Sequence, residues 1–154
     1  SALEERNERR RSSERRAAMS AAVIDASVWV SRLVASDVNH NASRVWLEKF
    51  AAAEDQFVAP TLVLAEISGS VARRAEDARS GHEAVKLVLR LPSLRLINVD
   101  RSLSELAAQL AADYMLRGAD AIYVAVAKQL DIPLVTLDEE QFKRASKIIL
   151  TVKP

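Results

Sequence analysis

The chain has 154 residues, 49% hydrophobic and 28% charged, which suits one domain with its own apolar core. It has no cysteine, which removes disulfide frameworks, thiolate zinc sites and cysteine nucleophiles and fits a cytoplasmic setting. No apolar run approaches the roughly 20 residues of a membrane span, and the charged N-terminus does not read as a secretory leader, so we expect no membrane association.

The net charge of +1 is unevenly spread. Residues 1–18 hold six Arg against four Glu, with Leu3 as the one large apolar side chain. Such a segment has no stripe to dock and predicts a solvated helix or a disordered tail. We read it as an N-terminal extension, added in expression or from an upstream reading frame, with Met19 as the natural start. Interleaved Glu argues against an RNA-binding arm. Of the 22 basic and 21 acidic residues, 16 and 17 remain beyond this extension, a net −1, so nucleic acid would have to meet a local basic patch.

From residue 19 onward short β-type runs alternate with helical patterns. A strand is predicted over 22–25 and a helix from Ser27 to about Ala35. Apolar residues at Val45, Trp46, Phe50 and Ala53 predict a helix over 41–53. A strand over 56–59 leads to Pro60, a favoured first helical position, and that helix is expected to run to Arg79, where Ser80-Gly81 would end it. A further helix spans 82–91 and stops at Pro92, followed by a strand over 94–99. Ser102-Leu-Ser-Glu105 reads as a capping box for a helix through Leu116. Gly118 breaks it, and a helix follows over 120–130. A strand over 133–137, a short helix over 139–145 and a strand over 148–152 complete the chain. Five strands separated by helices predict an α/β domain whose mostly parallel sheet is covered on both faces.

Four acids stand where apolar runs stop: Asp25 in Val-Ile-Asp-Ala-Ser, Glu66 in Leu-Ala-Glu-Ile, Asp120 in Gly-Ala-Asp-Ala-Ile-Tyr, and Asp138 in Leu-Val-Thr-Leu-Asp. Carboxylates beside buried aliphatic residues need compensation. Ligand sites of open α/β sheets form at the carboxyl ends of strands, where Asp25 and Asp138 lie. Ten helical residues after Asp120 descend roughly 15 Å, and the strand before Asp138 climbs back roughly 16 Å, so both acids return to one edge. Glu66 shares an apolar helix face with Leu62, Val63 and Ile67. Ser27 and Thr136 stand beside Asp25 and Asp138 and could hold a carboxylate or a metal-bound water in place. Mg²⁺ or Mn²⁺ takes hard oxygen ligands, and a bound divalent ion activates water for phosphodiester cleavage. We therefore read Asp25, Asp120 and Asp138 as metal ligands and the four acids together as catalytic.

Plainer roles compete. Asp25 or Asp120 could cap a helix, and Asp138 could open a turn; an N-cap can also ligate. Asp100 is explained by the neighbouring capping box. Trp29, Trp46 and Tyr123 fit core positions better than base-stacking ones. Arg73, Arg74 and Arg79, with Lys86 and Arg90, either track a phosphate backbone or form an ordinary charged face. Arg117, three residues before Asp120, is the cation expected nearest the acids. His-Glu-x-x-His, Walker, dinucleotide-binding and Gly-x-Ser-x-Gly motifs are absent.

At these residues the chain resembles the PIN-domain ribonucleases, and among them the VapC-type toxins of bacterial toxin–antitoxin pairs. Val-Ile-Asp25-Ala-Ser27, Pro60-Thr-Leu-Val-Leu-Ala-Glu66, Gly118-Ala-Asp120-Ala-Ile-Tyr and Leu134-Val-Thr136-Leu-Asp138 follow the family order. The resemblance implies a three-layer α/β/α sandwich, Mg²⁺ or Mn²⁺ dependence, and cleavage of RNA. It also implies a homodimer and inhibition by a cognate antitoxin that covers the acidic pocket. Arg73, Arg74 and Arg117 would then meet RNA. A housekeeping RNA-processing nuclease without an antitoxin and a non-catalytic metal-binding module are the alternative readings. A receiver-type phosphotransfer module or a haloacid-dehalogenase-type phosphatase fails on its missing lysine or second acid.

Overall fold

The computed structural model describes residues 2–18 and 20–154, with side chains for 2–10 and 20–154. Met19, read above as the natural start, lies outside the described residues. The N-terminal extension forms helix α1 (Ala2–Ala18), and its described side chains, residues 2–10, are all exposed. Among the described residues no helix is long and apolar enough to cross a membrane.

The elements then run β1 (Ala21–Ile24), α2 (Ala26–Leu33), α3 (His40–Ala52), β2 (Gln56–Pro60), α4 (Val63–Ala75), α5 (Ala78–Leu89), β3 (Leu94–Ile97), α6 (Arg101–Tyr114), α7 (Gly118–Leu130), β4 (Leu134–Val135), α8 (Glu139–Ala145) and β5 (Thr151–Val152). The five strands form one parallel sheet in the order β3-β2-β1-β4-β5. This is the expected α/β sandwich. Ala22, Val23 and Ile24 of β1, Val58 and Ala59 of β2, and Leu134 and Val135 of β4 are shut from solvent, as the central strands of a covered parallel sheet must be. The chain builds outward from β1 through β2 to β3, then returns to the other side for β4 and β5. The strand order therefore reverses between β1 and β4, and the crevice beyond their carboxyl ends is where such sheets bind ligands.

Several predicted boundaries are corrected. Pro60 does not open a helix: it is the last residue of β2, in register with Ile97, and α4 begins at Val63 after a turn. The long helix does not end at Ser80-Gly81. It ends where Glu76 adopts a left-handed φ of 53°, and Asp77 caps α5 through Arg79 N (3.2 Å) and Ser80 N (3.2 Å). Gly81 lies inside α5 instead, where a Cβ would stand 2.5 Å from the Ser68 carbonyl oxygen and 2.9 Å from Ala72 Cβ. It marks the close approach of α4 and α5, not a stop. Helix α6 starts at Arg101 and is capped by Asp100, which accepts from Leu103 N at 2.8 Å; Glu105 of the supposed capping box instead pairs with Arg101. The break before α7 falls at Met115, with φ 56°, and Gly118 is the first residue of α7. Strand β5 is shorter than predicted because the amides of Ile148 and Ile149 bond back to Ala145 at the end of α8.

Candidate active site

Asp25 leaves β1 at the reversal point of the sheet. Its backbone N–H bonds to the Val135 carbonyl at 2.9 Å, which ties it to the end of β4. The residue is 6% exposed and is the N-cap of α2. Its Oδ2 accepts from Ser27 N (3.1 Å) and Ser27 Oγ (2.5 Å) and stands 3.2 Å from the Thr136 hydroxyl. Burial pushes the Asp25 carboxyl above its ordinary range, the Ser27 and Thr136 donors oppose this, and the Asp120 charge adds to it. The capping role and the functional placement coexist in one side chain.

Thr136, fully buried after β4, joins the two ends of the site. Its Oγ1 accepts from Asp138 N at 3.1 Å and lies 2.7 Å from Gln141 Oε1. Asp138 caps α8 by accepting from Gln141 N at 2.8 Å through Oδ1, which leaves Oδ2 to Arg117. The Leu137 amide also donates to Ser27 Oγ (3.1 Å), so Ser27 and Thr136 stitch the β1 and β4 ends together.

Asp120 sits in the first turn of α7, not at its N-cap, which is Arg117. Negative charge is favoured there by the helix dipole. Arg117 bridges two acids, with Nε 3.1 Å from Asp120 Oδ2 and a terminal nitrogen 2.7 Å from Asp138 Oδ2. Burial raises the Asp120 pKa, Arg117 pulls it down, and the Asp138 charge pushes it up. Arg117 is thus the cation nearest the acids, as its spacing predicted.

Glu66 projects from α4, and Tyr123 Oη donates to its Oε1 at 2.7 Å. Burial raises the Glu66 pKa, Tyr123 lowers it, and the Asp25 and Asp120 charges raise it. Burial, with Asp25 and Glu66 nearby, drives the Tyr123 phenol far upward, so it stays a proton donor at any physiological pH. The sequence reading assigned Tyr123 to the core alone. It is fully buried, yet its hydroxyl serves the acid cluster; the signal was its place three residues after Asp120 on the same helix. Gln141 carried no signal, because a Gln beside two Glu in a short helix reads as solvated.

Asp25, Ser27, Glu66, Arg73, Arg74, Arg117, Asp120 and Asp138 line one cavity of about 600 Å³. Asp37 joins them and pairs with Arg74 at 2.7 Å. Arg73 folds back along α4 over Gly69. Five carboxylates thus face three guanidinium groups in one crevice, a deficit of two charges when all are ionised.

That deficit equals one divalent cation, and every candidate ligand is a hard oxygen donor, so the residues fit Mg²⁺ or Mn²⁺ in chemistry. Among the described residues no three acids or imidazoles stand close enough to cage one ion. Arg117 holds Asp120 and Asp138, while Tyr123 holds Glu66. Magnesium keeps several of its waters and needs only one or two direct carboxylates, so an open site suits it better than a cage would.

Comparison with known proteins follows the same lines. The model of the PIN domain matches residues 22–148. No protein of curated function matches the chain in sequence. Among solved structures, the Mycobacterium tuberculosis toxin VapC20, described as cleaving the sarcin–ricin loop, superposes with a TM-score of 0.69 at 22% identity, over 86% of this chain and 99% of that one. VapBC2 from Rickettsia felis, bound to a DNA fragment from its promoter, gives 0.65 at 16% identity, over 86% and 98%. A toxin–antitoxin complex from Klebsiella pneumoniae gives 0.62 at 20% identity, over 85% and 95%. At such identities the likeness is one of fold.

Proposed function

The chain belongs to the PIN-domain family, and we propose that it is a Mg²⁺- or Mn²⁺-dependent endoribonuclease acting as the toxin of a toxin–antitoxin pair. The observation that carries this reading is the convergence of Asp25, Glu66, Asp120 and Asp138 on one cavity at the reversal point of the sheet. Three of the four are raised in pKa by burial, an arrangement that favours a bound dication over bare ionised acids. The toxin assignment draws on the fold shared with VapC20 and with the toxin–antitoxin complexes. A cognate antitoxin covering the acidic pocket, and a homodimer, follow from the same resemblance.

Of Asp25, Asp120 and Asp138, one or two would bind the ion directly and the rest through its waters; when bound it supplies an activated water and charge stabilisation at the phosphodiester. The chain's own residues do the positioning. Ser27 and Thr136 fix one oxygen of Asp25. Tyr123 keeps Glu66 turned toward the cavity, where it could take a proton from the attacking water. Arg117, set between Asp120 and Asp138, is a cation available to a phosphate oxygen that approaches these acids. Arg73 and Arg74, on the same cavity wall, are placed to contact neighbouring phosphates. The reading is tested by incubating the purified chain with structured and single-stranded RNA, with Mg²⁺, with Mn²⁺ and with EDTA. Cleavage that needs Mg²⁺ is expected; cleavage equal in EDTA, or none with any RNA and either metal, rejects it.

A further inference from the structure

Gln141 presents a contradiction that its surroundings resolve in only one way. The residue is fully buried, and its side-chain nitrogen has no hydrogen-bond partner. Its carboxamide oxygen faces Thr136 Oγ1 at 2.7 Å. A threonine hydroxyl has one proton and two lone pairs. One lone pair already takes the Asp138 amide, at 3.1 Å. The single proton is then wanted by two close acceptors, Asp25 Oδ2 at 3.2 Å and Gln141 Oε1 at 2.7 Å, with Ser27 Oγ farther off at 3.5 Å. If it goes to Gln141, two lone pairs confront each other at Asp25. If it goes to Asp25, they confront each other at 2.7 Å from Gln141, while two amide hydrogens stay buried without an acceptor.

The two ends of a primary amide have nearly the same shape, so donor and acceptor counting decides which end faces Thr136. Turning the amide by a half-rotation satisfies every group around the hydroxyl. The nitrogen donates to the second lone pair of Thr136, and the Thr136 proton has Asp25 Oδ2, at 3.2 Å, as its nearest remaining acceptor, ahead of Ser27 Oγ at 3.5 Å. What is left buried is one N–H and a carbonyl oxygen in place of two N–H groups, a less costly pair of orphans.

We infer that Gln141 is a positioning residue, whose amide nitrogen donates to Thr136 Oγ1 and thereby aims the Thr136 proton at Asp25. The chain Gln141–Thr136–Asp25 has a fixed direction. With Ser27 it places three donors on Oδ2 of Asp25 and none of them on Oδ1. The same residue's main-chain amide donates to Asp138 Oδ1, so one buried glutamine supports two acids at once. This rests on the metal-centre reading for its consequence, but not for its geometry.

The test combines a spectroscopic readout on the unaltered protein with a double-mutant cycle on Mn²⁺ binding. In labelled full-length chain, the Gln141 side-chain amide protons should be slowly exchanging, with a strong cross-peak to Thr136; amide protons remote from Thr136 would overturn the inference. Gln141→Met keeps the volume and the main-chain bond to Asp138 but donates nothing. It should weaken Mn²⁺ binding, followed by paramagnetic resonance, by about 10- to 100-fold, the usual effect of losing a group that orients a ligand. Thr136→Val should do the same, and the double variant should lose no more than either alone, because Gln141 acts through Thr136. Unchanged affinity in Gln141→Met, or losses that multiply in the double variant, would overturn it. If the unaltered chain binds no Mn²⁺, the metal-centre reading fails, and the amide proton spectrum still decides the orientation of Gln141.

Discussion

Two glycines on neighbouring helices should respond to alanine with opposite signs. Gly69 lies in the interior of α4, and a Cβ there would meet only the end of the Arg73 side chain, 3.0 Å from a guanidinium nitrogen and 4.0 Å from its central carbon. Helical alanine is favoured over glycine by about 0.5–1 kcal/mol, and a guanidinium at the tip of a flexible side chain yields at little cost. Gly69→Ala should therefore raise the melting temperature by about 1–4 °C for a chain of this size. It should also move Arg73 from its place on the cavity wall. If Arg73 contacts a phosphate there, RNA affinity should fall by about two- to fivefold, the effect of one exposed charge contact. The slope of log affinity against log salt should flatten by about 0.7, the share of one single-stranded phosphate contact. Gly81→Ala is the control: its Cβ would meet the Ser68 carbonyl at 2.5 Å, so α4 and α5 must part and the variant should lose about 1–3 kcal/mol. Calorimetry and RNA titrations at several salt concentrations measure both effects. A Gly69→Ala protein that is stabilised yet binds RNA with unchanged affinity and slope would refute the role given to Arg73. One that is destabilised would refute the reading of the space around Gly69.

Tyr123→Phe removes the donor to Glu66 with little change of shape, and should cost about 1–2 kcal/mol, less than a fully buried charged hydrogen bond because Glu66 is only half-buried. It should also shift the rise of RNA cleavage to higher pH, since Tyr123 opposes the burial that raises the Glu66 pKa; an unshifted profile would separate Glu66 from the chemistry. Native-state pKa values raised above those of the unfolded chain mean that the native state holds protons longer. These carboxyls therefore favour folding fully only below their unfolded pKa values, and the benefit is lost as pH rises through the raised native values. Metal-free melting temperature should accordingly fall over that window and Mg²⁺ should restore it at neutral pH, measured by scanning with and without EDTA. Deleting residues 1–18 should leave melting and cleavage unchanged, because the described side chains of that helix, residues 2–10, are all exposed; a large loss of RNA affinity would assign it a binding role.

Where the sequence spoke clearly, one physical rule governed the outcome. The central strands were legible because Ala22–Ile24, Val58–Ala59 and Leu134–Val135 are apolar on both faces, which only a covered parallel sheet explains. The acids were legible because each interrupts such a run. Segment ends were not, since one residue type serves two roles. Proline's fixed φ suits the end of a strand as well as the first turn of a helix, and Pro60 took the strand. Glycine ends helices and also lets them approach, and Gly81 does the second. Asp77 caps α5 where Ser80-Gly81 read as the stop of the preceding helix, and Asp100 caps α6 in place of the Ser-x-x-Glu pattern, each by reaching the free amides directly. Tyr123 and Gln141 were missed because their work depends on partners 57 and 5 residues away, Glu66 and Thr136, which only the folded chain brings near.

In the proposed site the divalent ion lies at Asp25, Asp120 and Asp138, and Glu66 takes the proton of the attacking water for RNA cleavage. This arrangement is tested most directly by Asp25→Asn, Glu66→Gln, Asp120→Asn and Asp138→Asn, each scored for Mg²⁺-dependent cleavage and for metal-free melting temperature. Asparagine keeps an acceptor at the caps held by Asp25 and Asp138, so the fold should survive. Cleavage should collapse in all four. Metal-free melting should hold or rise for the Asp25, Glu66 and Asp120 variants, where burial already penalises the charge. Full Mg²⁺-dependent cleavage by the Asp25→Asn or Asp120→Asn protein would show that these acids do not form the catalytic site.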